Sequence, residues 1–188
     1  AFVLGLGGVY YLPFELIATS TNDNESNSYY FDGAMDVTDK LTVTAGVRTT
    51  EDELDMSIVY PLLGPASLSS DSVDYSETTY RFVVDYDLSD SSMIYASFNT
   101  GIKSGGFNSP AYAIAPPVPP EEIDAFEFGG KFSLGSTSIE FAFFDYEWEN
   151  LQVAIISTTA GGISQESAAA AESQGFEFSA NFEPSENL

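Results

Sequence analysis

Apolar and polar residues alternate with a period of two along most of this chain, and this alternation limits the fold more than any other feature. Within residues 41–48 the apolar positions are Leu41, Val43, Ala45 and Val47, and the polar ones are Thr42, Thr44, Gly46 and Arg48. Successive side chains of a β-strand point to opposite faces, so this run predicts a strand with one apolar and one polar face. The 3.6-residue period of an amphipathic helix is hard to find, and we therefore predict an all-β fold.

The alternation predicts eight strands joined by connections of two kinds. The strands are expected at about 2–12, 27–36, 40–53, 74–88, 92–102, 121–134, 138–153 and 172–182. Tight turns at 37–39, 89–91 and 135–137 separate long segments at about 13–26, 54–73, 103–120 and 154–171. Short turns at one end and long loops at the other are typical of an outer-membrane β-barrel. We therefore predict an antiparallel up-and-down meander whose strands are long enough for a tilted crossing of the bilayer.

The strands rich in aromatic residues predict which face of the sheet contacts lipid and which faces water. Phenylalanines at 126, 128, 176 and 178 are expected to face lipid, while Glu127, Lys131 and Glu177 are expected to face the lumen of a barrel. Aromatic residues also form strands in soluble sheets and fill their cores. A soluble extracellular β-sandwich therefore stays open as an alternative.

Composition excludes several classes of function. The chain has 5 Lys and Arg against 29 Asp and Glu, a net charge of −24, which argues against a nucleic-acid partner because phosphate contacts need clustered cations. It has no Cys and no His, so a thiolate nucleophile, a Cys/His zinc site and a histidine general base are all excluded. Acidic clusters at 22–25 and 51–55 lack the spacing of a calcium-binding loop. We expect no enzyme activity, no catalytic residue, no metal site and no cofactor.

Five segments of the chain resemble characteristic segments of the TonB-dependent outer-membrane receptors, and they occur in the same order as in that family. They are LTVTAGVR at 41–48, YASFNTGIKSGGFN at 95–108, PEEIDAFEFGGK at 120–131, FDYEWENLQV at 144–153 and AAESQGFE at 170–177. Together they cover roughly residues 28–182, and five ordered matches are far more specific than any one of them.

The resemblance implies that residues 1–188 are an open, curved part of a transmembrane barrel of about 22 strands, without the plug domain and the C-terminal strands. It implies a place in the outer membrane of a Gram-negative bacterium and a role in active uptake of a scarce nutrient, most of all a ferric siderophore. The implied partners are outer-membrane lipid, the extracellular ligand, and the TonB complex through the plug that this chain lacks. A self-contained eight-stranded outer-membrane barrel with a structural or adhesion role stays open.

Two expectations concern the site and the closure of the sheet. Residues 103–120 are expected to form an extracellular loop that touches substrate, with Lys103, Asn108 and Gln152 as candidate contacts. The predicted inward face carries small or short residues, which suit a wide, wet lumen better than a packed one. We therefore expect 2–12 and 172–182 not to pair with each other, which leaves both edges bare.

Overall fold

The computed structural model of the protein describes residues 19–59, 69–108, 116–157 and 162–182, and in these ranges the chain forms nine β-strands. The strands are β1 (Thr19–Thr38), β2 (Leu41–Val59), β3 (Ser69–Ser89), β4 (Ser92–Lys103), β5 (Glu121–Leu134), β6 (Thr137–Glu149), β7 (Gln152–Ser157), β8 (Gly162–Ser167) and β9 (Ala170–Phe182). No helix in the described ranges is long and apolar enough to cross a membrane.

Seven of the strands form a single antiparallel sheet in the order β1-β2-β3-β4-β5-β6-β9. The hairpin of β7 and β8 is inserted between β6 and β9 and forms a sheet of its own. Within the described ranges β1 and β9 each have one neighbour and do not pair with each other, so the sheet is open. The prediction of an open, all-β, up-and-down meander is confirmed. The predicted strand at 2–12 lies outside the described residues, and so does its pairing.

From the end with the short turns to about the middle of the strands, the register separates an apolar face of the sheet from a polar face. Phe128 lies opposite Ala96 on one side and Phe143 on the other, and Phe143 lies opposite Phe176. Directly opposed residues of an antiparallel pair point to the same face, so these side chains share one surface. Phe126 and the remaining predicted lipid-facing residues fall on this face, and Glu127, Lys131 and Glu177 fall on the other. The predicted alternation is confirmed.

The apolar face is not covered by a second layer in the described part of the chain. Phe176 is 66% exposed, and twenty large hydrophobic side chains of the described residues are exposed in all. Only three hydrophobic residues of the described ranges are buried, Leu54, Ile58 and Val118. Rings on the apolar face contact one another instead, and the ring centroids of Phe128 and Phe141 are 6.1 Å apart. The described part of the sheet therefore has no core of its own.

The two ends of the strands, which we call the turn end and the loop end, differ in the length of the connections between strands. At the turn end, strands are joined by two residues, and Gly135 between β5 and β6 has a φ of 65°, which the first position of a type II′ turn requires. At the loop end, the connections are long. Here the apolar face becomes acidic, because one row of directly opposed residues consists of Asp124, Glu147 and Glu172.

Three strands extend further toward the loop end than the sequence predicts. β1 begins at Thr19 rather than at about 27, β2 ends at Val59 rather than 53, and β3 begins at Ser69 rather than 74. The added residues of β1 and β3 are polar on both faces apart from Val73, so the period of two is hard to see there. The added part of β2 does alternate, but its apolar residues Leu54, Met56 and Ile58 lie on the polar face of the sheet and not on the apolar face of Leu41 to Val47.

The prediction of one continuous strand over 138–153 is wrong. β6 ends at Glu149, and Asn150 has a φ of 52°, a left-handed conformation that asparagine tolerates and that a strand cannot contain. The chain then turns away from the main sheet and begins β7 at Gln152. The segment at 154–171, predicted as an irregular connection, therefore contains most of the β7–β8 hairpin.

Candidate functional site

The long connection between β4 and β5 is closed at its base by its own backbone. The N–H of Gly106 donates to the carbonyl of Val118 at 3.0 Å, and the N–H of Val118 donates to the carbonyl of Gly106 at 2.9 Å. Val118 is only 4% exposed. The two arms of this loop, which we call the β4–β5 loop (104–120), are therefore held together where they leave the sheet.

Asn108 joins the β4–β5 loop to the β7–β8 hairpin. Its side-chain Nδ2 donates to the carbonyls of Pro116 and Gln165, each at 3.1 Å, and its Oδ1 accepts from the N–H of Gln165 at 2.6 Å. The side chain is 6% exposed. Both ends of the amide are therefore occupied inside the protein.

Gln152, at the start of β7, contacts the same loop from the other side. Its N–H donates to the Glu121 carboxylate at 2.9 Å, and its Nε2 donates to the carbonyls of Ser104 and Pro119 at 3.0 Å each. Its Oε1 accepts from the side-chain Nε2 of Gln165 at 2.9 Å. We call Asn108, Gln152 and Gln165, with these hydrogen bonds, the loop junction.

Lys103 lies at the edge of the loop junction and keeps much of its side chain in solvent. Its Nζ is 3.6 Å from an Oε2 of Glu121, and the side chain is 57% exposed. An ion pair with this much exposure contributes little stability, because water and salt screen it. The ammonium group is therefore free to meet an anionic group that arrives from solution.

Tyr75, near the loop end of β3, contacts the β4–β5 loop. Its hydroxyl donates to the carbonyl of Val118 at 3.0 Å, and burial raises the pKa of Tyr75, which keeps the hydroxyl protonated as a donor. A Cβ on residue 105 would lie 2.5 Å from the Tyr75 ring, so the ring can occupy this position only because residue 105 is glycine. Sequence reasoning missed Tyr75 and Gln165, and no motif around either residue signals these contacts.

The polar face of the sheet carries a second cluster of polar side chains. The Tyr95 hydroxyl donates to Oε1 of Glu127 at 2.5 Å, and the Tyr146 hydroxyl donates to Oε2 of the same carboxylate at 3.4 Å. Further along the polar face, Arg81 on β3 reaches across Gly46 of β2 and lies 3.9 Å from the Asp32 carboxylate on β1, with both side chains about half exposed. Within the described residues no three acidic side chains form a group that could hold a metal ion. The polar face can bind water and charged groups.

All three candidate contacts therefore lie at the loop end, and the structure brings them close together. Gln152 and Asn108 both contact Gln165, and Lys103 and Gln152 share Glu121. Asn108 and Gln152 direct their amides at backbone carbonyls of the loops, whereas Lys103 is exposed. That these residues touch a substrate stays a prediction.

Comparison with known families gives one match that spans nearly the whole chain. The profile of the family described as TonB dependent receptor-like, beta-barrel matches residues 5–185. No curated protein sequence matches the chain.

Solved structures with the same fold include the ferric yersiniabactin uptake receptor FyuA from Yersinia pestis, with a TM-score of 0.69 and 18% identity, over 90% of this chain and 26% of that one. The siderophore receptor PiuA from Acinetobacter baumannii has a TM-score of 0.67 and 21% identity, over 89% and 24%. The copper transporter OprC has a TM-score of 0.68 and 13% identity, over 88% and 28%. The chain thus spans about a quarter of the length of these structures.

Proposed function

The chain belongs to the TonB-dependent receptor β-barrel family, and on that premise we propose that it forms part of the wall of a receptor for active nutrient uptake. Members of the family are transporters rather than enzymes, and they lie in the outer membrane of Gram-negative bacteria. The family match over residues 5–185 is the observation that carries the proposal. The remaining strands and the plug domain would belong to the same receptor.

In this proposal the apolar face contacts lipid. On β5 the apolar positions run from Leu134 to Phe126, a distance of eight residue steps, which is about 27 Å along a strand and about 20 Å along the membrane normal at a tilt of about 40°. Outer-membrane barrels present an apolar band about 25 Å tall. Since the aromatic side chains are uncovered in the described part, lipid as their environment is favoured over the interior of a soluble sandwich.

The polar face would line the lumen, and the loop end would face the cell exterior. Four of the five cations of the chain, Arg48, Arg81, Lys103 and Lys131, lie on the polar face. Charged side chains on a wall that encloses water keep their hydration, whereas the same charges facing hydrocarbon would cost a few kcal/mol. The TonB complex would act on this wall only through the plug.

A ferric siderophore is the proposed substrate class. Of the three structural relatives described above, one is named as a siderophore receptor, one as a ferric yersiniabactin uptake receptor and one as a copper transporter. Lys103 gives the loop end an exposed cation that can attract an anionic ferric complex. Asn108 and Gln152 are the other proposed contacts.

The test is uptake by the bacterium that carries the full receptor gene. Deletion of the gene should abolish growth on at least one ferric siderophore under iron limitation, and plasmid-borne wild-type gene should restore it. Normal growth on every ferric siderophore of a broad panel, with loss of copper accumulation, would show the siderophore proposal to be wrong and assign a copper substrate.

A second test concerns Lys103. Lys103→Gln should raise the half-saturation concentration for uptake severalfold, because one exposed charge–charge contact contributes up to about 1 kcal/mol. Lys40→Gln is the matched control, since it removes the same charge from the turn between β1 and β2. Equal effects of the two substitutions would contradict a direct role for Lys103.

Deleting residues 104–120 should lower uptake and leave assembly in the membrane intact.

A further inference from the structure

We infer that Asn108 is a positioning residue that joins the two described arms of the β4–β5 loop, 104–108 and 116–120, to the strands β7 and β8 as one rigid unit at the loop end of the sheet. The inference rests on the geometry of the loop junction. It does not depend on the proposed transport function, which enters only where uptake is measured.

The first step of the argument concerns the edge of the small sheet. β7 and β8 form a two-stranded sheet, so each of them has one edge that the other cannot cover. Gln165 lies opposite Ala154 in this hairpin. In an antiparallel pair a residue directs its N–H and C=O either both toward its partner or both away from it. Because the N–H and C=O of Gln165 bond to Asn108, they point away from β7.

The second step concerns the chemistry of asparagine. A carboxamide has one acceptor oxygen and an NH₂ with two donor hydrogens, so it can offer an edge strand the same pair of groups as another backbone. Asn108 does so: it accepts at 2.6 Å from the N–H of Gln165 and donates at 3.1 Å to its carbonyl. Its second N–H reaches the carbonyl of Pro116, across the loop. One side chain therefore ties both arms of the β4–β5 loop to the hairpin.

The third step concerns burial. At 6% exposure, Asn108 is shielded from water, so removing its amide leaves the edge groups of Gln165 without partners in a place that water does not readily reach. Gln152 adds a parallel connection, because its side-chain Nε2 donates to the carbonyls of Ser104 and Pro119 in the loop. A ligand that moves one of these segments would therefore move the other with it.

The test measures amide hydrogen exchange in the full-length receptor, purified in detergent, without any substrate. Asn108→Ala should accelerate exchange about tenfold or more in both segments together, at Gly106 and Val118 in the loop and at Gln165 and Ala168 beside or in the hairpin. The strands of the main sheet should be unaffected. Asn27→Ala is the matched control, since Asn27 is exposed at the loop end and bonds only to Glu25 nearby.

Asn108→Asp separates hydrogen bonding from packing. The carboxylate keeps the shape of the side chain and can still accept from Gln165, but it faces two carbonyl oxygens to which it cannot donate. It should therefore accelerate exchange as much as Asn108→Ala. Acceleration confined to one of the two segments, or none at all, would overturn the inference.

If Asn108→Ala fails to assemble in the membrane, Gln152→Ala decides the question. It removes the side-chain bonds from the hairpin to the carbonyls of Ser104 and Pro119 and leaves Asn108 as the connection, so the two segments should still open together and their amides should exchange faster by the same factor. Faster exchange in only one of them would again overturn the inference. Uptake is measured separately. If the loop and the hairpin exchange faster together but the receptor transports no ferric complex, the proposed function is refuted and the inference about Asn108 is unaffected.

Discussion

Val43 and Thr44 offer a direct test of the two faces of the wall, because they are adjacent on β2 and nearly identical in shape. Val43 lies on the apolar face between Met35 and Val84, and Thr44 lies on the polar face between Ala34 and Val83. Replacing each by arginine adds the same volume and the same charge. Only the surroundings differ.

The magnitude follows from depth in the bilayer. The apolar positions of β2 run from Leu41 to Val47, and a tilted strand rises about 2.6 Å along the membrane normal per residue. Val43 therefore lies about 5 Å inside one edge of this apolar run and about 10 Å from the other. Arginine costs roughly 2–4 kcal/mol at the midplane and less toward an interface, so at this depth we expect about 2 kcal/mol, which is about thirtyfold in the unfolding equilibrium. Thr44→Arg reaches water and should change the unfolding free energy by less than about 0.5 kcal/mol.

The assay is guanidinium unfolding of the full-length receptor in phosphatidylcholine vesicles, with the folded fraction read from the mobility of unheated samples on gels. Val43→Arg should lower the midpoint clearly, and Thr44→Arg should leave it nearly unchanged. Equal losses, or a larger loss for Thr44→Arg, would refute the assignment of the apolar face to lipid.

Three further predictions use the same receptor. Gly105→Ala should destabilise the β4–β5 loop by about 1–3 kcal/mol, because the new Cβ would overlap the Tyr75 ring, and faster amide exchange of the loop would show it. Tyr95→Phe should lower the unfolding free energy by about 1 kcal/mol and Tyr146→Phe by less, since their bonds to the shared carboxylate measure 2.5 and 3.4 Å; equal losses would contradict this. Glu147→Gln should stabilise the sheet by about 0.2–1 kcal/mol, because it removes like-charge repulsion across two strand pairs, and a lower guanidinium midpoint would argue against that.

The wall could be predicted from sequence because each of its strands lies between two different environments. Where one face is apolar and the other polar, the period of two marks both the strand and its register. β5 has the predicted bounds of 121–134, and β4 extends only one residue beyond the predicted 92–102. The short turns followed from the same pattern.

The loop end could be predicted much less well, because its structure depends on hydrogen bonds between distant residues. Asn108 and Gln165 are 57 positions apart, and nothing periodic connects them. Asn108 and Gln152 were singled out as polar residues near a loop, which placed them correctly at the loop end. Their side-chain N–H groups donate to backbone carbonyls. Because every residue has a backbone carbonyl, the sequence does not indicate which carbonyls accept these hydrogen bonds.

The strong negative charge, which by itself excludes only certain partners, gains structural meaning once the register is known. In the described strands, the carboxylates that point to the apolar side all lie at or beyond the row of Phe98, Phe126 and Asp145, toward the loop end. Between that row and the turns, the apolar side carries no charge of either sign, whereas the polar face at the same height carries residues such as Asp85 and Glu140. An acidic surface adapted only to water would have no reason to leave one such band empty on one face alone. Since a charge facing hydrocarbon is costly and a charge facing a wet lumen is not, the empty band supports the proposal that this part of the apolar face contacts lipid.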